Sequence, residues 1–272
     1  MLKQRLIVGI IGGIFAILIL CLNVKVVSVA LALVAVIGLS EIYNATGILK
    51  RQNKLCVFSY LYWLAAYIIT AFSSNAGLVM TVLTILYAFA LFMYMVFNHE
   101  TCDFATISEL FFQTVYVAVL FAHIILVRKL PFGKYIIWFI FITAWLSDTM
   151  AYAVGMRFGR NKLIPQISPK KTVEGALGGL LGSVLFNVIF GLVCAYGFKL
   201  NVKFLALIIL AIVAGIVSQL GDLTASCIKR EHNIKDYSNL LPGHGGILDR
   251  FDSVLFVAPT VYYFAVIFSI IG

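Results

Sequence analysis

Apolar runs of similar length recur along almost the whole chain, and this recurrence constrains the fold more than any single motif. Roughly 20 apolar residues in an α-helix cross the ~30 Å hydrocarbon core of a bilayer. Runs of that kind lie near 5–22, 26–43, 55–73, 77–97, 107–127, 135–155, 175–197, 204–224 and 252–271. The chain therefore reads as an all-α, polytopic integral membrane protein with about nine transmembrane helices. Charged residues make up 11% of it, against roughly 25% in soluble globular domains.

Only Asn23, Val24 and Lys25 separate the first two runs. A tight hairpin, or one span followed by a re-entrant segment, satisfies that spacing. The basic start at Lys3 and Arg5 raises the alternative of a cleaved signal peptide, but the apolar run exceeds the usual core of about 7–15 residues. A first membrane helix is the better reading. The five cysteines, Cys21, Cys56, Cys102, Cys194 and Cys227, show no C-x-x-C spacing, so neither a zinc site nor a disulfide framework is expected.

With nine spans, fourteen of the 20 Lys and Arg residues fall on the side of the N-terminus. The other six are Lys25, Arg128, Lys129, Lys134, Lys199 and Lys203. The positive-inside rule then places the N-terminus and two large polar loops, 156–174 and 230–251, in the cytoplasm. The organisation read from this is a set of N-terminal transmembrane helices over 1–134 and a C-terminal region over 135–272. The second region carries both loops, with a polar site at the cytoplasmic ends of its helices.

The first loop, MRFGRNKLIPQISPKKTVE, sets five cations against Glu174. Pro165 and Pro169 discourage continued helix, and Thr172 is a plausible N-cap for the helix that follows. Free backbone N–H groups at a helix start, flanked by Lys170 and Lys171, suit a phosphate. Taken alone, a basic patch touching anionic headgroups is the stronger reading.

The second loop and its flanks hold five of the chain's 11 acids within GDLTASCIKREHNIKDYSNLLPGHGGILDRFD. Carboxylates near hydrocarbon are expensive and face a protein interior or a wet cavity. Here Asp222, Asp236, Asp249 and Asp252 lie among Lys229, Arg230 and Lys235, a mixture suited to metal-assisted phosphate chemistry. Asp249 and Asp252 are three apart and share a face if the helix has begun. The Pro242-Gly243-His244-Gly245-Gly246 stretch cannot be regular helix, and its glycines let backbone approach a ligand closely.

These residues resemble the phosphatidate cytidylyltransferases, or CDP-diacylglycerol synthases. The resemblance rests on S-x-x-K-R (Ser226 to Arg230), K-D (Lys235-Asp236) and P-G-H-G-G-x-x-D-R-x-D (Pro242 to Asp252). A second match lies upstream in Asp148, Ala151-Tyr152, Gly155, Arg157-Phe158-Gly159-Arg160 and Ser168-Pro169-Lys170-Lys171-Thr172-Val173-Glu174-Gly175. It covers about Asp148 to Asp252, while the first five spans are similar only in being hydrophobic. In the G-D-L-x-E-S context of many members, this chain has Ala225.

The resemblance implies condensation of CTP with phosphatidate to CDP-diacylglycerol and pyrophosphate. It implies Mg²⁺ or Mn²⁺, with more than one ion expected, and Asp222, Asp249 and Asp252 as metal ligands. Lys229 and Arg230 are expected at the triphosphate, with Asp249 beside them as a catalytic group. Ser168, Lys170, Lys171, Thr172, Ser226, Lys235 and His244 are expected to bind substrate. The partners are CTP, phosphatidate and membrane lipid, with no nucleic acid and a homodimer left open. The expected location is a bacterial inner membrane, with the site facing the cytoplasm.

Alternatives stand beside several of these readings. Asp249 could form an ion pair with Arg250, and His244 could be a neutral loop residue bonded to backbone. Asp148 could line the cavity or pair with Arg157. A lipid phosphate with ether or prenyl chains would suit the same chemistry. A secondary transporter using Asp148 and Asp222 for a coupling ion is the reading from another class, but no internal repeat supports it. Gly175, Gly178, Gly179 and Gly182 are expected to let helices pack closely. Tyr60, Tyr62, Trp63 and Tyr67 read as interfacial or core aromatics. Asn187 is expected to satisfy a neighbouring helix, and Glu41 and Glu109, at span ends, to reach interfacial water.

Overall fold

The computed structural model describes residues 2–272, with side chains described from Gly12 onward. In chain order the helices are α1 (Leu2–Cys21), α2 (Val24–Ala45), the single turn α3 (Ile48–Arg51), α4 (Asn53–Phe72) and α5 (Ala76–Phe97). Then come α6 (Phe104–Thr114) and α7 (Leu120–Lys129), joined by a π-helical turn, and α8 (Gly133–Phe141) and α9 (Ser147–Phe158), joined likewise. After a short hairpin of β1 (Lys162–Ile164) and β2 (Ser168–Thr172) follow α10 (Val173–Leu192), α11 (Phe204–Glu231) and α12 (Leu248–Phe268).

Among the described residues, eight helices are long and apolar enough to cross a membrane. They correspond one for one to the predicted runs from 26–43 to 252–271, with α6–α7 and α8–α9 each counting once. The predicted run 5–22 coincides with α1 (Leu2–Cys21), of which residues 2–11 lie outside the described side chains. The part of α1 with described side chains, Gly12–Cys21, is a shorter apolar stretch.

The hairpin is a departure from the all-helical expectation. Its strands run antiparallel, pairing Lys162 with Thr172 and Ile164 with Ser168. α9 ends at Phe158, ahead of both prolines, where Gly159 turns the backbone extended at ψ 122°, and the Ile167 N–H donates to the Ile164 carbonyl to close the turn at 3.2 Å. The polar loop between the last two helices is also shorter than 230–251. α11 is 28 residues long, about 42 Å at the α-helical rise, so its C-terminal turns exceed the hydrocarbon thickness. Ser226, Lys229 and Arg230 stand on that surplus and not in a loop.

The chain divides into two compact units, Met1–Leu126 with Ile234–Arg250, and Val127–Asn233 with Phe251–Gly272. In the first, Trp63, Tyr67 and Tyr87 are fully buried. Lipid offers no water to the two tyrosine hydroxyls, so these must find protein partners. Tyr67 donates to the Ala118 carbonyl at 2.6 Å, Ser59 bonds Tyr87 at 2.6 Å, and Thr114 bonds both Tyr87 and Tyr43. Glu109 does not reach out to water alone: Arg51 donates to both of its oxygens at 2.8 and 2.9 Å.

In the second unit α10 lies tight against α9, as the small-residue spacing predicts. A Cβ on Gly178 would sit 2.5 Å from the Val154 side chain, and one on Gly182 2.6 Å from that of Met150. Asn187 donates to Thr143 Oγ1 at 2.9 Å, meeting the expectation for it. All five cysteines are free thiols.

Candidate active site

In the second unit, Thr172 caps α10 as its sequence position predicts, its hydroxyl accepting the Gly175 N–H at 3.1 Å. Glu174 turns back onto the preceding segment and accepts from the Arg160 and Asn161 backbone and the Asn161 side chain at 2.9–3.3 Å. The hairpin is thus fixed at the helix that follows it. It presents Lys171 to Asp222 of α11, and the two form an ion pair. Lys170 is exposed and Ser168 half-buried on the same strand.

Asp252 is 8% exposed, with the charges of Asp222 and Asp148 bearing on it and Lys229 as a nearby cation. Its Oδ1 accepts the Ser253 N–H at 2.7 Å. Asp148, in the first turn of α9, accepts from the Ser253 hydroxyl at 3.4 Å, a contact the sequence reading with Arg157 did not anticipate. A Cβ on Gly221 would lie 2.7 Å from the Asp252 carbonyl, so the residue before Asp222 must be glycine for α11 and α12 to approach here. Arg230 donates to the Ile167 carbonyl at 3.4 Å, linking the end of α11 to the hairpin turn.

Asp148, Asp222 and Asp252 therefore belong to one cluster in the second unit, with Lys171 and Lys229 as its cations. Among the described residues, no three His, Cys, Asp or Glu side chains converge into a ready-made metal cage. Mg²⁺ does not require one, because it commonly takes one or two carboxylates and completes its shell with phosphate oxygens and water. A largely buried carboxylate beside two others fits that mode.

In the first unit the Pro-Gly-His-Gly-Gly segment is built around two carboxylates. Asp249, 8% exposed and in the first turn of α12, accepts through Oδ2 the N–H groups of Tyr237 and Gly246 at 2.8 and 2.9 Å. Glu41, on α2, is 4% exposed and accepts from the Ser238 hydroxyl and from the Ile247 and Leu248 N–H groups at 2.6, 2.9 and 2.7 Å. The expectation that Glu41 reaches interfacial water is corrected: loop donors surround it and exclude solvent.

The glycines of this segment are explained by the same two groups. Gly245 has φ +80° and would place a Cβ 2.8 Å from Asp249 Oδ2. A Cβ on Gly246 would fall 2.5 Å from Glu41 Oε1. Gly243 also takes positive φ, at 78°. Lys235 is exposed and His244 half-buried, and His244 Nδ1 is enclosed with no hydrogen-bond partner.

The profile of the Cytidylyltransferase family matches residues 3–268. The chain belongs to the cytidylyltransferase family. The match takes in the N-terminal spans, where the motif resemblance did not reach. Among relatives of this cytidylyltransferase, the phosphatidate cytidylyltransferase of Staphylococcus haemolyticus is 34% identical over 262 residues, 95% of this chain and 96% of that protein. The phosphatidate cytidylyltransferase of Bacillus subtilis is 37% identical over 180 residues, 66% of this chain and 65% of its own length. That of Staphylococcus aureus (strain COL) is 41% identical over 127 residues, 47% of each.

Proposed function

We propose that this cytidylyltransferase condenses CTP with phosphatidate, giving CDP-diacylglycerol and pyrophosphate at a membrane. The observation that carries the reading is the near full-length similarity to the Staphylococcus haemolyticus phosphatidate cytidylyltransferase. A phosphatidate oxygen forms a new bond to the α-phosphorus of CTP. The bond from that phosphorus to the bridging oxygen breaks, and its electron pair leaves with pyrophosphate. A phosphate monoester is already ionised near neutral pH, its second pKa being about 6, so no strong general base is needed. The protein's work is positioning and charge neutralisation.

Asp222 and Asp252 are the carboxylates that would hold Mg²⁺ or Mn²⁺, and bound metal would offset charge on the triphosphate. Asp249 is the candidate for a further ion. Lys229 and Arg230, raised on the surplus length of α11, would neutralise the triphosphate and the leaving pyrophosphate. Ser168, Lys170, Lys171 and Thr172 would gather around a phosphate at the start of α10, where the charged hairpin and the helix N-terminus support an anion. Ser226, Lys235 and His244 complete the proposed substrate contacts. The basic loops would face the cytoplasm of a bacterial cell, where CTP is available.

The test uses purified protein in mixed micelles with CTP labelled at the α-phosphate. Phosphatidate should accept the label into lipid, with pyrophosphate released in equal amount. Labelling of an ether or prenyl lipid phosphate but not of phosphatidate would replace the proposed acceptor. Labelling of no lipid phosphate would remove the activity.

A further inference from the structure

Glu41 stands about 200 positions before its partners, yet its carboxylate is where the Gly-rich segment and the start of α12 are fastened. Oε1 accepts from Ser238 Oγ and the Ile247 N–H, and Oε2 from the Leu248 N–H. All three partners are donors, which two carboxylate oxygens satisfy. A glutamine amide cannot, because in either orientation its NH₂ group opposes a donor. Two of those donors belong to the residue before α12 and to its first residue, where backbone N–H groups have no partner within the helix. An acidic group there also opposes the positive end of the helix dipole. The residue before Ile247 is Gly246, whose missing Cβ leaves room for the carboxylate to reach the backbone.

Asp249 holds the same segment from the opposite end through Tyr237 and Gly246. Residues 237–249 are therefore clamped at four backbone N–H groups and one hydroxyl by two carboxylates, one of them supplied by α2. Glu41 touches the segment that carries His244 and Asp249, and it is too enclosed to touch solvent-borne substrate itself.

We propose that Glu41 is a positioning residue for cytidylyl transfer. It sets the conformation of the Pro242–Gly246 segment and the first turn of α12, so that Asp249 and His244 are held ready for nucleotide and cation. This inference rests on the cytidylyltransferase reading of the site for its effect on turnover, while its structural content, the clamp, stands on the hydrogen bonds alone. Supporting groups behind a metal or phosphate site typically govern about 10–100-fold in affinity or activity.

The test compares Glu41→Gln and Ser238→Ala with the parent protein in detergent by two measurements. One is amide hydrogen exchange followed by mass spectrometry. The other is the steady-state kinetics of CTP and phosphatidate turnover against Mg²⁺ concentration. Glu41→Gln should speed exchange selectively in peptides covering 234–251. It should lower kcat by about 10–100-fold and raise the Mg²⁺ needed for half-maximal rate, with the phosphatidate KM changed less than about threefold. Ser238→Ala, which removes one donor and leaves the carboxylate, should show the same pattern at about two- to tenfold, the worth of one hydrogen bond.

Exchange that quickens throughout the N-terminal helices, with turnover falling only as the folded fraction falls, would make Glu41 a structural residue and overturn the proposal. Parent-like kinetics and exchange in Glu41→Gln would overturn it as well. If Glu41→Gln does not fold, a Ser238→Ala protein indistinguishable from the parent overturns it, and one with selective loosening and reduced kcat supports it. A parent protein that transfers no cytidylyl group would sink the assigned reaction instead, and selective loosening in the exchange data would still report the clamp.

Discussion

Lys171 on β2 is ion-paired with Asp222 on α11, so the cation that the sequence assigns to phosphate and the carboxylate that it assigns to metal neutralise each other. Each side chain keeps about a quarter of its surface exposed, 28% and 27%. Such a pair lies between an exposed ion pair, worth about 0–1 kcal/mol, and a buried one, whose disruption costs about 3–5 kcal/mol. The arrangement leaves both groups reachable by an anionic substrate and its cation.

Lys171→Gln should therefore cost only about 1–2 kcal/mol of stability while raising the CTP KM by more than about tenfold, the equivalent of one charge-assisted hydrogen bond to phosphate. Detergent-phase unfolding and initial-rate kinetics on the same preparation separate the two effects. A large stability loss with an unchanged KM would assign Lys171 to the fold alone.

Removal of divalent metal should abolish turnover, and Mg²⁺ or Mn²⁺ should restore it. Asp252→Asn keeps the side-chain shape in a nearly closed site and removes its charge. It should raise the Mg²⁺ concentration for half-maximal rate by more than about tenfold, since even supporting groups around metals contribute that much. Rates measured after exhaustive chelation, then along a Mg²⁺ titration, decide it. Full activity in chelator would exclude a metal requirement.

The spans and both long motifs were legible because their information is local. Each run of about 20 apolar residues states its own length, and the residues from Ser168 to Gly175 and from Ser226 to Asp252 are nearly contiguous. The Thr172 cap was legible for the same reason, since it depends on a bond only three residues long. Glu41 was not legible, because its bonds span 197 to 207 positions, and a lone acid at a span end looks the same whether it meets water or a loop. The start of α12 at Leu248, ahead of the apolar run at 252, follows from that unseen partner for its first N–H groups. The hairpin was hidden because two strands of three and five residues are too short to show an alternating pattern.

The loops on either side of α10 and α11 should face the same compartment, because two spans intervene. Single cysteines replacing the exposed Gln166 and Asn239 in a cysteine-free background report this with an impermeant thiol reagent. The Lys and Arg asymmetry predicts that neither labels in intact cells and both label in inverted membranes. Labelling from opposite sides would require a different span count between them. Labelling of both in intact cells would reverse the orientation.

Asp249 Oδ2 accepts from the Tyr237 and Gly246 N–H groups of the Gly-rich segment. An asparagine can offer one amide oxygen to the same two N–H groups, so Asp249→Asn retains these two bonds while removing the charge. Its stability cost should stay near one hydrogen bond's worth, about 1 kcal/mol. If Asp249 also serves a cation, kcat should fall by about a hundredfold or more, the scale on which charge-stabilising groups act, and higher Mg²⁺ or Mn²⁺ should recover part of it. Arg250 is exposed, and Arg250→Gln should change turnover less than about threefold, as expected for a surface charge whose pairing is weak. An Asp249 needed only as the partner of Arg250 would give two mutants with equal, modest defects and unchanged metal dependence. An Asp249 needed only as the loop anchor would leave Asp249→Asn with near-parent turnover, exchange in 234–251 and metal dependence, because the asparagine oxygen still accepts from both N–H groups. Kinetics across a metal titration, read beside exchange on the same two proteins, separates these three roles.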